Sequence, residues 1–306
     1  MSPLTINKIP HHVFLAHKDF STELLDELSA VVQQLDRLVI AKPQPSIWAQ
    51  DVWRDVVEIK FESISQAIQA LRALGKNWIF FPHKFYRRAN LIQEGLQTVA
   101  VNRIPFPNLK PIQPFGCWTL HDANTILAST NTQKNVPLGA YEFIENKQIP
   151  PNRAYLKLWE VFTSLNFFPD KKSLCLDLGA SPGGWTWVLQ SLGCRVIAVD
   201  KAELDPKIGR LANVTAVKQS AFALDARHHE PVNWLFSDVI CYPQKLYTFV
   251  SRWIEFGKCQ NFVCTIKLQG KTDNAMLKKF LDIPNSQILH LYHNKHEVTW
   301  VRRVAQ

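Results

Sequence analysis

The chain has 306 residues, of which 46% are hydrophobic and 20% are charged, a balance that excludes a disordered protein. Its net charge of +9 and isoelectric point near 9.2 favour a polyanionic partner, either nucleic acid or an acidic membrane surface, although a merely basic globular protein has the same balance. The six cysteines lack zinc-type spacing and predict buried thiols in a reducing compartment. Because no signal peptide or membrane-spanning run is recognisable, we expect a cytoplasmic protein without a membrane partner.

Residues 1–145 are predicted to form a small α+β domain with an antiparallel sheet. Hydrophobic periodicity predicts helices over 21–35 and 63–74. Extended apolar runs predict strands at 12–17, 37–42, 52–61 and 77–82. Four prolines interrupt the segment 99–116, which is therefore predicted to be irregular or to form an edge strand.

Residues 146–306 are predicted to form a second domain of the α/β class. A helix is predicted up to Leu165, and seven apolar strands then alternate with helices, which is typical of a mostly parallel sheet covered on both faces. The last two strands are joined only by His293–His296. This connection is too short for a parallel crossover, so the final strand is predicted to be antiparallel.

The stretch "SLCLDLGASPGGWTWVLQSLGCRVIAVD" predicts a strand, a glycine turn, a helix and a second strand. In a dinucleotide fingerprint the middle glycine lets the backbone approach a pyrophosphate, but here Ser181 and Pro182 occupy that place. A phosphate-free nucleoside such as S-adenosyl-L-methionine fits better, with Asp200 near its ribose. The alternative is a tight turn that binds no ligand. The candidate cofactor contacts are Asp177, Gly179, Ser181, Pro182, Gly183, Gly184, Trp185 and Asp200.

Four polar residues occupy positions that core packing does not require: Lys157, Asp238, Lys267 and Glu297. Because ligands bind at the carboxyl ends of parallel strands, Asp238 and Lys267 are expected beside the glycine turn. Glu297 begins the reversed last strand and reaches the same edge. Burial and nearby positive charge would lower the pKa of Lys267 and make it a base, positioned by the two acids, with Lys157 sharing the charge. Taken singly, each of the four could instead be a solvated charge or a structural ion pair.

The motif "DLGASPGGWT" resembles the D-x-G-x-x-P-G-G pattern of class I methyltransferases, which have a Rossmann-like fold and use S-adenosyl-L-methionine. Together with "RAYLKLWE", "WLFSDV", "FVCTIKL" and "LYHNKHEVTWVRR", it resembles the FtsJ-like ribose 2'-O-methyltransferases, and most of all those that act on a cytidine of large-subunit ribosomal RNA. The resemblance assigns the tetrad Lys157, Asp238, Lys267 and Glu297 to catalysis, and Asp238 also to the cofactor. Where the family usually has an acid near the adenine this chain has Ser220, so Ser220, a backbone group or Asp225 would meet that base.

The resemblance implies RNA, ribosomal RNA in particular, as the partner, and a reaction without a metal. His228 and His229 are accordingly interpreted as solvated residues. Basic and aromatic candidates for RNA binding, for which core packing of the aromatic rings is the alternative, are Arg87, Arg88, Arg302, Arg303, Phe85, Tyr86, Trp118 and Trp53. Two other functions stay open: a nicotinamide oxidoreductase, and a catalytically inactive RNA-binding assembly factor.

Overall fold

The computed structural model describes residues 4–98, 103–107 and 113–304. These residues divide into two compact units. The first contains 4–98, 103–104 and 113–142, and the second contains 105–107 and 143–304. The two domains predicted from the sequence meet at residue 145, three residues beyond this division.

The first unit contains two five-stranded sheets. Its strands are β1 (Thr5–Lys8), β2 (His12–Ala16), β3 (Val31–Leu35), β4 (Leu38–Ala41), β5 (Ala49–Arg54), β6 (Val57–Lys60), β7 (Trp78–Phe80), β8 (Gly116–Asp122), β9 (Thr125–Ser129) and β10 (Asn131–Thr132). The strand orders are β1-β6-β9-β8-β7 and β10-β5-β2-β4-β3, and only β7 and β8 pair in parallel. Its helices are α1 (Ser21–Glu27), α2 (Ile64–Leu74) and α3 (Tyr86–Glu94).

The helix predicted over 21–35 is wrong in its second half. The helix α1 ends at Glu27, Ala30 adopts a left-handed φ of 51°, and Val31–Leu35 pair with β4 as a strand. The β-branched pair at the start of this strand favours extended backbone, and pairing with β4 outweighs the helical periodicity. In the predicted irregular segment, β8 begins at residue 116, while 99–102 and 108–112 lie outside the described residues.

The second unit is built on one seven-stranded sheet with helices between the strands. Its strands are β11 (Leu174–Leu178), β12 (Arg195–Asp200), β13 (Val214–Lys218), β14 (Trp234–Ser237), β15 (Asn261–Lys267), β16 (Ser286–Leu289) and β17 (Glu297–Arg302). Its helices are α4 (Tyr155–Leu165), α5 (Gly184–Ser191), α6 (Pro206–Gly209), α7 (Pro243–Glu255) and α8 (Asn274–Leu281). No helix among the described residues has the length and apolarity needed to cross a bilayer.

The strand order is β13-β12-β11-β14-β15-β17-β16, and β17 alone runs antiparallel to both of its neighbours. The mostly parallel α/β sheet and its reversed last strand are therefore confirmed. The order changes direction at β11, whose neighbours β12 and β14 both run parallel to it. Open α/β sheets bind ligands at such a switch point, outside the carboxyl ends of the strands.

Candidate active site

The turn after β11 requires glycine at two positions. Gly179 has a φ of +71°, and a Cβ atom there would lie 2.5 Å from Cγ2 of Val239. Gly183 has a φ of +120°, and a Cβ atom there would lie 2.9 Å from Cγ2 of Ile208. These glycines let the chain turn from the strand into α5 while neighbouring segments approach closely.

A cavity of about 570 Å³ lies beside this turn. The predicted cofactor contacts that line it are Gly179, Ser181, Asp200, Ser220 and Asp238. Phe222, Ile240 and Tyr242 add apolar surface, and Lys201 and Lys245 add positive charge. A cavity of this size is in the range that holds a cofactor-sized molecule.

The remaining predicted cofactor contacts do not line this cavity, and their contact with the cofactor stays a prediction: Asp177, Pro182, Gly183, Gly184 and Trp185. Trp185 is buried, and its Nε1 donates to the carbonyl of Ala154 at 2.9 Å. A Cβ atom on Gly184 would lie 2.3 Å from Oδ1 of Asn152, so this residue faces the segment before α4. In this structure Trp185 and Gly184 thus contribute to the packing between the turn and the segment before α4.

Asp177 is buried beneath the turn and accepts a hydrogen bond from the hydroxyl of Thr186 at 2.6 Å. Burial raises the pKa of this carboxyl group to about 7, although the hydrogen bond from Thr186 opposes the shift. The side chain thus joins the end of β11 to α5.

Asp200 and Ser220 contribute polar groups to the cavity wall. The carboxylate of Asp200 accepts hydrogen bonds from the backbone of Ser181 at 3.0 Å and of Ala202 at 2.9 Å, which ties the end of β12 to the glycine turn. Asp225 lines a neighbouring cavity of about 300 Å³ instead, and its carboxylate pairs with Arg227. Of the two side chains considered for the adenine, only Ser220 therefore lines the larger cavity.

Four charged side chains come together beside this cavity and are here called the charge cluster: Lys157, Asp238, Lys267 and Glu297. Asp238 belongs both to the charge cluster and to the cavity wall. Nζ of Lys157 lies 2.8 Å from Oδ2 of Asp238 and 2.9 Å from Oε1 of Glu297. Nζ of Lys267 lies 2.6 Å from Oδ1 of Asp238 and 2.5 Å from Oε2 of Glu297. The two ammonium groups and two carboxylates thus alternate in a closed ring of four ion pairs.

The sheet and α4 together position the charge cluster. Lys267 and Glu297 are direct partners across the antiparallel pair of β15 and β17, so their side chains share one face. Asp238 directly follows β14, and Lys157 belongs to the first turn of the largely buried helix α4. The side chains of Lys157 and Glu297 are 10% and 9% exposed, whereas those of Asp238 and Lys267 are both 18% exposed.

The expected lowering of the Lys267 pKa is wrong for this state of the protein. Burial lowers the pKa of Lys267, but the carboxylates of Asp238 and Glu297 together raise it by more, so its net pKa is above the ordinary lysine value. For Asp238 the two effects are reversed in sign. Burial raises the pKa of its carboxyl group, but Lys157 and Lys267 lower it by more, so its net pKa is below that of an ordinary aspartate. Lys267 is therefore protonated and Asp238 ionised at neutral pH.

Sequence reasoning missed Glu160, one turn after Lys157 in α4. This buried carboxylate accepts hydrogen bonds from the backbone of Tyr292 at 2.7 Å and of His293 at 3.1 Å, and it contacts Nδ1 of the His293 ring at 2.8 Å. It thereby fastens the segment that leads into Glu297 to the helix that carries Lys157. An acid inside the apolar run "YLKLWEVF" was the available signal.

The RNA-binding candidates occupy different environments. The stacking role is wrong for Trp53 and Trp118, because both rings are fully buried in the cores of the first unit. Arg302 lies at the end of β17 remote from the charge cluster, where it donates to the carbonyl of Gln260 at 2.7 Å, and Arg303 follows it. Phe85, Tyr86 and Arg87 are exposed at the start of α3, whereas Arg88 lies over the ring of Phe61. Arg303 is also exposed, and its guanidinium lies over the ring of Phe167.

The chemistry of the cavity wall fits a nucleoside that carries a cationic group. The carboxylates of Asp200 and Asp238 can accept hydrogen bonds from hydroxyl groups and attract a sulfonium or an ammonium group, while Lys201 and Lys245 balance their charge. Apolar surface from Phe222 and Ile240 suits a nucleobase. No group of three metal-ligating side chains occurs within the ranges that the structure describes.

A sheet of this strand order, with a glycine turn at its switch point and a carboxylate-lined cavity, is typical of Rossmann-like class I methyltransferases. Residues 150–302 match the model of a family described as "FtsJ-like methyltransferase". This match covers half of the chain, so the chain belongs to the FtsJ-like methyltransferase family. S-adenosyl-L-methionine is the methyl donor of this family and therefore the cofactor of this chain, which speaks against the alternative of a nicotinamide oxidoreductase.

Curated relatives named "Ribosomal RNA large subunit methyltransferase M" are similar to part of this chain. The protein of Aromatoleum aromaticum is 33% identical over 164 residues, covering 48% of this chain and 44% of its own length. That of Thauera aminoaromatica is 30% identical over 165 residues, covering 49% and 45%. That of Cellvibrio japonicus is 28% identical over 221 residues, covering 61% and 59%. The chain thus spans about half the length of the curated relatives it matches.

Among solved structures, the fibrillarin of Aeropyrum pernix in complex with S-adenosyl-L-methionine is 16% identical. The match covers 64% of this chain and 85% of fibrillarin, with a TM-score of 0.36. A score this low carries no argument about function.

Proposed function

We propose that the chain transfers a methyl group from S-adenosyl-L-methionine to a ribose 2'-hydroxyl of RNA, at a cytidine of large-subunit ribosomal RNA. The observation that carries this proposal is the charge cluster, which shares Asp238 with the cavity lined by the glycine turn. A cytoplasmic location accords with the bacterial relatives that are named as ribosomal RNA methyltransferases.

The reaction makes limited demands on the protein. When bound, S-adenosyl-L-methionine supplies a methyl group on a sulfonium leaving group, and that carbon–sulfur bond breaks as the ribose oxygen attacks. The residues of the chain then need only to hold the hydroxyl in line and to remove its proton. Lys267 is our candidate for the proton acceptor, because it and Asp238 form the more exposed side of the charge cluster.

Lys267 must first lose its own proton, and its raised pKa opposes that loss. A cation that enters the cavity beside Asp238 would lower the pKa of Lys267, since like charges disfavour the ammonium form. In this mechanism Asp238 and Glu297 orient Lys267 through their hydrogen bonds of 2.6 and 2.5 Å. Lys157 balances the charge of the two acids from the other side of the ring.

For the first unit we propose RNA binding. Phe85 and Tyr86 are exposed aromatic rings that could stack unpaired bases, and the neighbouring Arg87 could contact a phosphate. The excess of 35 basic over 26 acidic residues supports a polyanionic substrate and an affinity that falls with salt concentration.

The observation that favours the alternative, an inactive RNA-binding assembly factor, is the closure of the ion-pair ring. A fully paired lysine with a raised pKa is also what a purely structural network contains. Such a protein would bind RNA and S-adenosyl-L-methionine without transferring a methyl group.

Tritiated methyl transfer to total RNA from cells that lack the protein distinguishes these functions. The wild type is compared with Lys267→Ala and with Lys172→Ala, an exposed lysine that precedes β11. We expect incorporation by the wild type and by Lys172→Ala, and almost none by Lys267→Ala. The label is expected in nucleotides whose 3' phosphodiester resists alkali, because a methylated 2'-oxygen cannot attack it.

Three results would contradict the proposal. Absence of incorporation by the wild type favours the inactive binder. Incorporation that survives Lys267→Ala overturns the assigned base, and label in alkali-sensitive positions overturns the ribose as the target.

A further inference from the structure

The segment between β14 and α7 exposes two large hydrophobic side chains next to the charge cluster. Ile240 is 83% exposed and Tyr242 is 65% exposed, the two highest values for large hydrophobic side chains among the residues that the structure describes. Both line the 570 Å³ cavity together with Asp238. Exposed apolar surface that adjoins a polar cavity is typical of a ligand-binding surface.

The backbone holds Tyr242 in this exposed position. Tyr242 precedes α7 with φ of −66° and ψ of 142°, and the next residue, Pro243, is buried and opens the helix. A proline restricts the residue before it to extended conformations, so the chain cannot coil Tyr242 into the helix. The extended backbone thus keeps Tyr242 out of the helix, with its side chain on the cavity wall.

We infer that Tyr242, with Ile240 beside it, is the stacking platform for the nucleobase of the nucleotide whose ribose is methylated. This inference rests on the proposed function. The 2'-hydroxyl and the base are carried by adjacent carbons of one ribose, so a hydroxyl at the charge cluster places its base within a few ångströms. Tyr242 follows Asp238 by four residues and lines the same cavity. A tyrosine face stacks a base of any identity, which suits an unpaired nucleotide drawn out of RNA.

The surrounding charges agree with this occupant. Lys245, in the first turn of α7, and Lys201, after β12, also line the cavity, and their ammonium groups can donate hydrogen bonds to the phosphates that flank the target nucleotide. The competing occupant is the adenine of the cofactor. Phe222 lines the same cavity directly after Ser220 and Ala221, and it offers the adenine an aromatic ring other than that of Tyr242.

The test compares Tyr242→Ala and Tyr242→Phe with Phe256→Ala, which removes an exposed ring from the far end of α7. Methyl transfer to RNA from cells that lack the protein gives KM for RNA and kcat, and calorimetry gives Kd for S-adenosyl-L-methionine. We expect Tyr242→Ala to raise KM for RNA about tenfold, which is the usual effect of losing one stacking contact between a base and an aromatic ring. Tyr242→Phe and Phe256→Ala are expected within about twofold of the wild type, and Kd for S-adenosyl-L-methionine unchanged in all variants.

Each other outcome overturns the inference in a distinguishable way. Unchanged KM in Tyr242→Ala, with an active wild type, overturns the base platform and leaves the proposed function intact. A weaker Kd for S-adenosyl-L-methionine in that variant assigns Tyr242 to the adenine instead. A wild type that transfers no methyl to a 2'-hydroxyl overturns the proposed function, and this inference with it.

Discussion

Each unit of the molecule contains a close lysine–aspartate pair, and the two pairs differ in burial rather than in distance. In the first unit, Lys8 and Asp55 are 2.5 Å apart, and both side chains are more than half exposed. In the second, Lys267 and Asp238 are 2.6 Å apart and both are largely buried. Water screens the first pair, so that pair contributes little to stability. In the second pair, removing one charge would leave the other buried and uncompensated. Ion pairs of equal length thus differ greatly in what their loss would do.

The largest expected effect is on catalysis. Lys267→Ala removes the proposed proton acceptor and is expected to lower kcat for methyl transfer by about 10²- to 10⁴-fold, the usual contribution of a general base. Lys8→Ala, in the exposed pair, is expected to leave kcat unchanged. Single-turnover transfer of labelled methyl to RNA measures both, and comparable rates for the two variants would show that burial does not mark the reactive lysine.

On stability, the contrast between the pairs is tested with Lys157→Met. This change leaves Asp238 and Glu297 short of one buried cation, and we expect it to lower the free energy of unfolding by about 3–5 kcal/mol. Lys8→Met, the same change in the exposed pair of the first unit, serves as the control and is expected to leave the urea midpoint where it is. Equal midpoints for both variants would mean that the charge cluster is hydrated like the exposed pair.

The pH dependence sharpens the contrast further. Because the pKa of Lys267 is raised, its neutral form grows about tenfold per pH unit across neutral pH, and kcat/KM for S-adenosyl-L-methionine is expected to rise likewise between about pH 7 and 9. The same shift stabilises the fold at neutral pH, and this contribution is lost as pH rises through the folded pKa. A rate that is already level below pH 8 would exclude Lys267 as the base of the free enzyme.

The smallest effect is expected one turn from the charge cluster. Glu160→Gln replaces one acceptor oxygen by an amide donor that faces other donors, which is expected to cost about 1–3 kcal/mol of stability. If Glu160 positions Glu297, kcat falls by about tenfold while KM for RNA stays unchanged. A loss of stability with kcat preserved would leave Glu160 with a structural role alone.

The sequence predicted the second unit better than the first. Its central strands, such as β14 and β15, are buried on both faces and appear as continuous apolar runs, so polar residues such as Asp238 and Lys267 stand out at the strand ends. In the first unit, Val31–Leu35 kept a helical periodicity that strand pairing outweighed. Propensity is local, whereas that pairing depends on β4 across a tight turn.

Within the site, residue types that chemistry requires were easier to predict than the direction in which a side chain points. The sequence placed Trp185 next to the glycine turn, but its indole is buried and bonded to Ala154. Trp53 and Trp118 were likewise predicted as candidates for stacking, but both are buried. Their burial depends on how the sheets pack, which the sequence of one segment alone does not determine. The pKa of Lys267 was mispredicted because the two carboxylates at 2.5 and 2.6 Å outweigh desolvation.

The antiparallel register of β15 and β17 is a requirement of the site in its own right. Lys267 faces Glu297 only because the partners are aligned as they are, and side chains alternate between the two faces of a strand. Slipping β17 by a single residue would turn the Glu297 carboxylate to the opposite face and bring Val298 opposite Lys267. Any change that shifts β17 against β15 by one residue would therefore abolish the Lys267–Glu297 pair as completely as replacing Glu297 itself.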